Sequence, residues 1–173
     1  MYRPSLSLFI LILFLHFNAS SQVDTANRKS ISLFYGLKST KEKVYPHFLD
    51  FQKFGKLHPV IKETKRLTEA SGNSMGTFSV KESIFLFGFI PMHPKYDTAV
   101  FELEKDKKIK YTSQVKKNLY LEIILSFEER NDSTFIKEVV STSGSRLTGS
   151  ILRSAIKKKH LILVNNLRRE LGR

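Results

Sequence analysis

The sequence predicts an α+β domain: a curved seven-stranded antiparallel sheet wrapped around one long C-terminal helix, with two short helices after the first strand. Three observations lead there. Between residues 60 and 143 the chain alternates apolar and polar side chains in segments separated by short polar turns, the pattern of sequential hairpins. Residues 146–171 carry one apolar stripe at spacings of three and four, which is the helical period. A pair of short helical stretches, broken by proline, lies between the first alternating segment and the rest.

Ile31, Leu33, Tyr35 and Leu37 alternate with Ser32, Phe34, Gly36 and Lys38, giving a first strand with one buried face. Ser39-Thr40-Lys41-Glu42 has capping-box spacing, with Ser39 expected as N-cap. Val44 and Phe48 then lie one turn apart, but Pro46 keeps that helix short or kinked. Gly55 is expected to end a second short helix at 51–56, and Pro59 disfavours helix at His58. Six strands follow at 60–67, 77–87, 96–104, 109–117, 119–128 and 134–143. Turns at Ser71-Gly72-Asn73-Ser74, Lys105-Asp106-Lys107-Lys108 and Asn131-Asp132-Ser133 join them, and Pro91 and Pro94 mark a loop at 90–95. Leu152, Ile156, His160, Leu163, Val164, Leu167 and Leu171 form the helical stripe; Lys157, Lys158, Lys159, Arg168 and Arg169 lie largely off it. The helical pattern runs from about Arg146 to Leu171; Gly149 disfavours a helix interior, so a start just after it is the alternative. An antiparallel sheet with one apolar face needs a cover, and this helix supplies it.

With 173 residues the chain is long enough for one domain with a substantial core. Fourteen Phe and six Tyr argue for a folded chain. The absence of Cys excludes disulfides, thiolate nucleophiles and Cys-ligated metals. A net charge of +13 implies attraction to anionic partners. Peripheral contact with an anionic membrane surface fits better than nucleic-acid binding, because the aromatics sit at buried-looking strand positions.

Arg3, the apolar run from Leu8 to Leu15, and the small residues Ala19-Ser20-Ser21 before Gln22 form a signal-peptide pattern over 1–21. The run is short for a membrane span. The alternatives are a membrane anchor at 6–17, or a cytoplasmic protein whose true start lies downstream. Residues 22–29 are polar and read as a flexible lead-in, and 30–173 as the domain. The expected location is therefore secreted or periplasmic.

Val44-Tyr45-Pro46-His47-Phe48-Leu49-Asp50, followed by His58-Pro59 at the entry to the second strand, resembles the helix-grip superfamily. That group includes START lipid-transfer domains, birch-pollen-allergen relatives and polyketide cyclase/dehydrase-like proteins, together SRPBCC. The element order over 30–171 is similar throughout. The resemblance implies a cavity between the concave sheet face and the long helix, where members bind hydrophobic or amphipathic small molecules and some perform chemistry.

The expected lining is His58, Phe78, Val80, Phe101, Tyr111, Leu121, Ile123, Leu152, Ile156 and His160. His160 lies on the apolar stripe, where a lone histidine is more often a satisfied core residue than a ligand. Tyr111 has the same two readings: a ligand-orienting hydroxyl, or one that satisfies a buried neighbour. His93 sits on a loop. Glu82 is in phase with Phe78, Val80 and Ile84, while the competing register puts Phe85, Phe87 and Phe89 inside and Glu82 in solvent. Gly144-Ser145-Arg146 precedes the long helix and reads as a turn or an anion cradle. No histidine spacing, phosphate loop or nucleophile elbow points to a metal, cofactor or catalytic motif. The leading expectation is a small-molecule or lipid binder; the alternatives are a cyclase/dehydrase-like enzyme using His and Glu in the same cavity, or a filled-core interaction protein.

Overall fold

The computed structural model describes residues 28–86, 90–116, 119–143 and 146–172. The predicted signal peptide, most of the lead-in, Phe87, Phe89 and the Gly144-Ser145 turn lie outside the described residues. The first strand, β1 (Lys29–Leu37), is followed by three helical turns, α1 (Lys41–Val44), α2 (Pro46–Leu49) and α3 (Phe51–Leu57). Strands β2 (Ile61–Thr68), β3 (Ser74–Glu82), β4 (Ile84–Leu86), β5 (Ile90–Met92), β6 (Lys95–Glu104), β7 (Lys108–Lys116), β8 (Leu119–Arg130) and β9 (Ser133–Ser143) come next. Helix α4 (Arg146–Glu170) closes the domain. It starts at Arg146, where the apolar stripe places it, and runs through Gly149.

Seven strands form one antiparallel sheet in the order β1-β9-β8-β7-β6-β3-β2, so the first strand pairs with the last and β1 and β2 are the edges. Asn131 and Asp132 both take positive φ, the left-handed pair of a two-residue type I′ hairpin between β8 and β9. Register shifts in the β2–β3, β3–β6, β6–β7 and β7–β8 pairings bend the ladder. One inner-face row runs Ile31, Val140, Ile123, Tyr111, Val100 across five strands. The core lies between that face, the turns α1–α3 and the inward stripe of α4, where Leu163, Val164 and Leu167 are buried.

Three local expectations are corrected. The N-cap of α1 is Thr40, with no side-chain cap; Ser39 is buried, and its carbonyl accepts from Thr134 Oγ1 at 2.7 Å. The cap comes instead from across the fold, where Glu129 Oε2 accepts the Lys41 N–H at 2.7 Å. Gly55 does not end α3, which continues to Leu57. Its role is close approach: a Cβ there would lie 2.7 Å from Thr64 Cγ2 on β2. The expected strand 77–87 is two elements, because the ladder that pairs Lys81 with Lys95 meets Pro94 next. Pro94 accepts the Glu82 N–H at 3.0 Å but has no N–H to return. The chain then leaves the sheet as a separate β4–β5 hairpin.

Candidate ligand-binding site

Alternation along β9 places Thr134, Ile136, Glu138, Val140 and Thr142 on the inner face, all buried. Glu138 is thus a carboxylate inside the core, with 0% exposure. Such a group is tolerated only with hydrogen-bonding partners. His160 of α4 supplies one, its Nδ1 2.6 Å from Glu138 Oε2. Tyr35 of β1 donates its hydroxyl to the same oxygen at 3.1 Å. The other oxygen, Oε1, is buried and has no partner among the described residues.

His58 caps the C-terminal end of α3, donating its N–H to the Phe54 carbonyl at 3.0 Å. Its ring is 5.5 Å from that of Phe54 and meets the His160 ring edge-on at 5.5 Å. Burial, then the neighbouring His160 and Lys159 charges, push the His58 imidazole down to about 3, so it is neutral at ordinary pH. Its Nδ1, like Glu138 Oε1, is buried and without a partner among the described residues.

A second carboxylate faces the same interior. Glu82 accepts from the Tyr96 hydroxyl at 2.5 Å. Burial raises the Glu82 carboxyl above its ordinary value, opposed by the Tyr96 hydrogen bond and by the charge of His160. Tyr96 is itself pushed well up by burial and then by Glu82. Further along α4, Arg153 donates to Thr142 Oγ1 at 2.5 Å. Thr98 and Ser113 share a buried hydrogen bond at 2.8 Å.

The structure gathers most of the expected residues on this inner face. Phe78, Val80, Tyr111, Leu121, Ile123, His58 and His160 are all buried, and Ile156 packs half-buried against them. Tyr111 takes the bland alternative: its hydroxyl donates to the Phe48 carbonyl and ties α2 to the sheet. Glu82 is resolved inward, with Phe78 and Val80; Phe85 is 63% exposed. Phe101 is a correction. It alternates with fully buried Val100 and lies on the outer face, beneath Lys110 Nζ at 4.8 Å from its ring. The length of the β6 alternation was right and its phase at Phe101 was not. Leu152 lies on α4, but its side chain is outside the described ones. His93 is exposed.

Glu138, Tyr35, Tyr96 and Arg153 were not anticipated. The signal for Glu138 was the one that drew attention to Glu82, a carboxylate in phase with apolar neighbours on both sides. Among the described residues no three His, Cys, Asp or Glu side chains gather as a metal-holding group. What the cluster offers is paired acids and bases in a dry setting: a carboxylate holding one imidazole by Nδ1, and a neutral imidazole beside it.

No protein-family model matches the chain, and no curated protein matches it in sequence. Its fold has solved counterparts. A START superfamily protein from Mycobacterium smegmatis is 14% identical with a TM-score of 0.63, over 83% of this chain and 97% of that one. Ara h 8.0201 is 13% identical with a TM-score of 0.65, over 85% of this chain and 100% of that one. The Zhui aromatase/cyclase from Streptomyces sp. R1128 is 10% identical with a TM-score of 0.67, over 85% and 95%. At such identities the likeness establishes the fold.

Proposed function

With the helix-grip fold as premise, we propose that this chain binds a hydrophobic or amphipathic small molecule between the inner sheet face and α4. The observation that carries this reading is a pair of buried polar atoms without partners among the described residues, Glu138 Oε1 and His58 Nδ1. Each unmet group costs about 1–3 kcal/mol, so a state that supplies a partner is favoured by that amount. A ligand hydroxyl both donates and accepts, and suits either atom. The apolar body of the ligand would rest on Phe78, Val80, Leu121, Ile123 and Ile156. Both orphan atoms are sealed from solvent, so entry requires α4 to move outward. Its C-terminal half is anchored by buried Leu163, Val164 and Leu167, while Ile156 is only half-buried. The signal-peptide pattern of 1–21 supports action outside the cytoplasm; an intact mass retaining 1–21 in protein from its own host would remove that part.

Native mass spectrometry of the mature protein, followed by extraction, tests the binding itself. A stoichiometric small-molecule adduct is expected, weakened in Glu138→Gln. A clean apo mass, with no uptake from a hydrophobic extract, sinks the proposal.

One observation favours a second reading, an enzyme. Glu138 holds His160 by Nδ1, which leaves Nε2 as the nitrogen free to move a proton, in the way a carboxylate orients a general base. The aromatase/cyclase activity named for the Zhui protein is consistent with such chemistry. A sharp loss of turnover with unchanged ligand affinity in His160→Gln would select the enzyme; graded affinity loss selects the binder.

A further inference from the structure

We propose that the outward face of α4 docks on an anionic lipid bilayer. Successive helical positions place Lys157, Arg168, Leu161, Asn165, Lys158, Arg169 and Ile162 side by side on that face, and all seven are exposed. Leu161 is 64% exposed and Ile162 42%, large aliphatic side chains left uncovered among the described residues. Lys157, Lys158 and Arg169 form no ion pair among the described residues, and Glu170 is the only acidic residue of the helix. Arg168 is braced by the Asn165 side chain at 3.1 Å and by the Gly36 carbonyl at 3.2 Å, fixing the end of the face to β1.

Two kinds of chemistry thus share one rigid face: unneutralised cations and isolated aliphatic side chains between them. Headgroup phosphates and carboxylates take the cations, and the aliphatic side chains enter the boundary beneath. A soluble polyanion would use the cations alone. The net charge of +13 draws the chain toward such a surface from a distance. This surface is independent of the interior site, since its residues point away from Glu138 and His160.

The test is co-sedimentation of the full chain with vesicles of phosphatidylcholine alone and of phosphatidylcholine with phosphatidylserine, at low and high salt. The apolar run at 8–15 adds binding to both vesicle types, so the readout is the phosphatidylserine-dependent part. That part is expected to fall about fivefold for each cation removed in Lys157→Gln and Lys158→Gln, and to fall again in Leu161→Ser with Ile162→Ser. All four positions are exposed, and an unchanged circular dichroism spectrum confirms the fold. Wild-type partition in every variant overturns the proposal. So does a lysine variant that loses vesicles and heparin alike while the serine variant loses neither, which would make the face a general polyanion site.

Discussion

Glu138 and His58 show how much the interior depends on which side of a strand a single residue occupies. Glu138 was legible in principle, as the polar member of the series Ile136, Glu138, Val140, but its partners come from β1 and α4, far away in sequence. Periodicity names a face and not a neighbour. His58 was legible as a candidate only because it precedes Pro59; its neutrality follows from burial, which the sequence does not state. That burial has a pH consequence. The folded imidazole binds its proton near 3 and the unfolded one near 6.5. Below about 6.5 the unfolded chain therefore holds one more proton than the native state, and stability falls with acidification at up to about 1.4 kcal/mol per pH unit. Glu82 acts in the opposite sense, because burial raises its folded pKa and the native state takes up a proton at higher pH than the unfolded chain does. Subtracting a His58→Gln variant isolates the histidine. Urea unfolding between about pH 7 and pH 4 should show a shallower acid-side loss in the variant; coincident slopes would place His58 in a wetter setting than the structure gives it.

Strands β6 to β9 were legible almost to the residue because alternation and polar turns agree there. The helix was legible from its stripe. What escaped was the behaviour of edges and junctions: the split after Glu82, the start of β3 at Ser74 and the cap that Glu129 provides. Each is decided by a partner strand and not by local preference. Gly76 is the clearest case. It lies in β3 at the register shift against β6, with φ +109°, and a Cβ there would sit 2.5 Å from the Thr68 carbonyl oxygen and 2.8 Å from Arg66 Nη1. The backbone oxygen cannot step aside without disturbing the β2–β3 ladder. Gly72 also has positive φ, +58°, but open space around it. Gly72→Ala should therefore cost only the left-handed penalty of about 1–2 kcal/mol. Gly76→Ala adds the clash and should cost more, by chemical denaturation of both variants side by side. Equal losses would mean that β2 yields more easily than its packing on α3 implies.

At the scale of the whole molecule, charge is sorted by depth. Glu138 is wholly buried and Glu82 largely so, in a chain whose 29 Lys and Arg outnumber its 16 Asp and Glu. The surface ion pairs, such as Lys81–Glu63 at 2.5 Å and Lys107–Glu104 at 2.8 Å, join exposed groups and add little. Among the described residues most of the cations form no ion pair, and like charges repel more in the compact state than in the expanded unfolded chain. Salt reaches this shell, with a screening length of about 10 Å at 0.1 M, but does not reach the dry His160–Glu138 contact. The two layers therefore respond differently. Adding sodium chloride should raise the melting temperature, and a relief of about 1 kcal/mol would appear as about 2–4 °C in a chain of this size. The rise should survive in Glu138→Gln, because the interior contact does not contribute to it, and should shrink when Lys157 and Lys158 are replaced by Gln. A melting temperature that falls with salt would mean that surface pairing, not repulsion, governs the shell, and that the cations of α4 are less available to an external anionic surface than their exposure indicates.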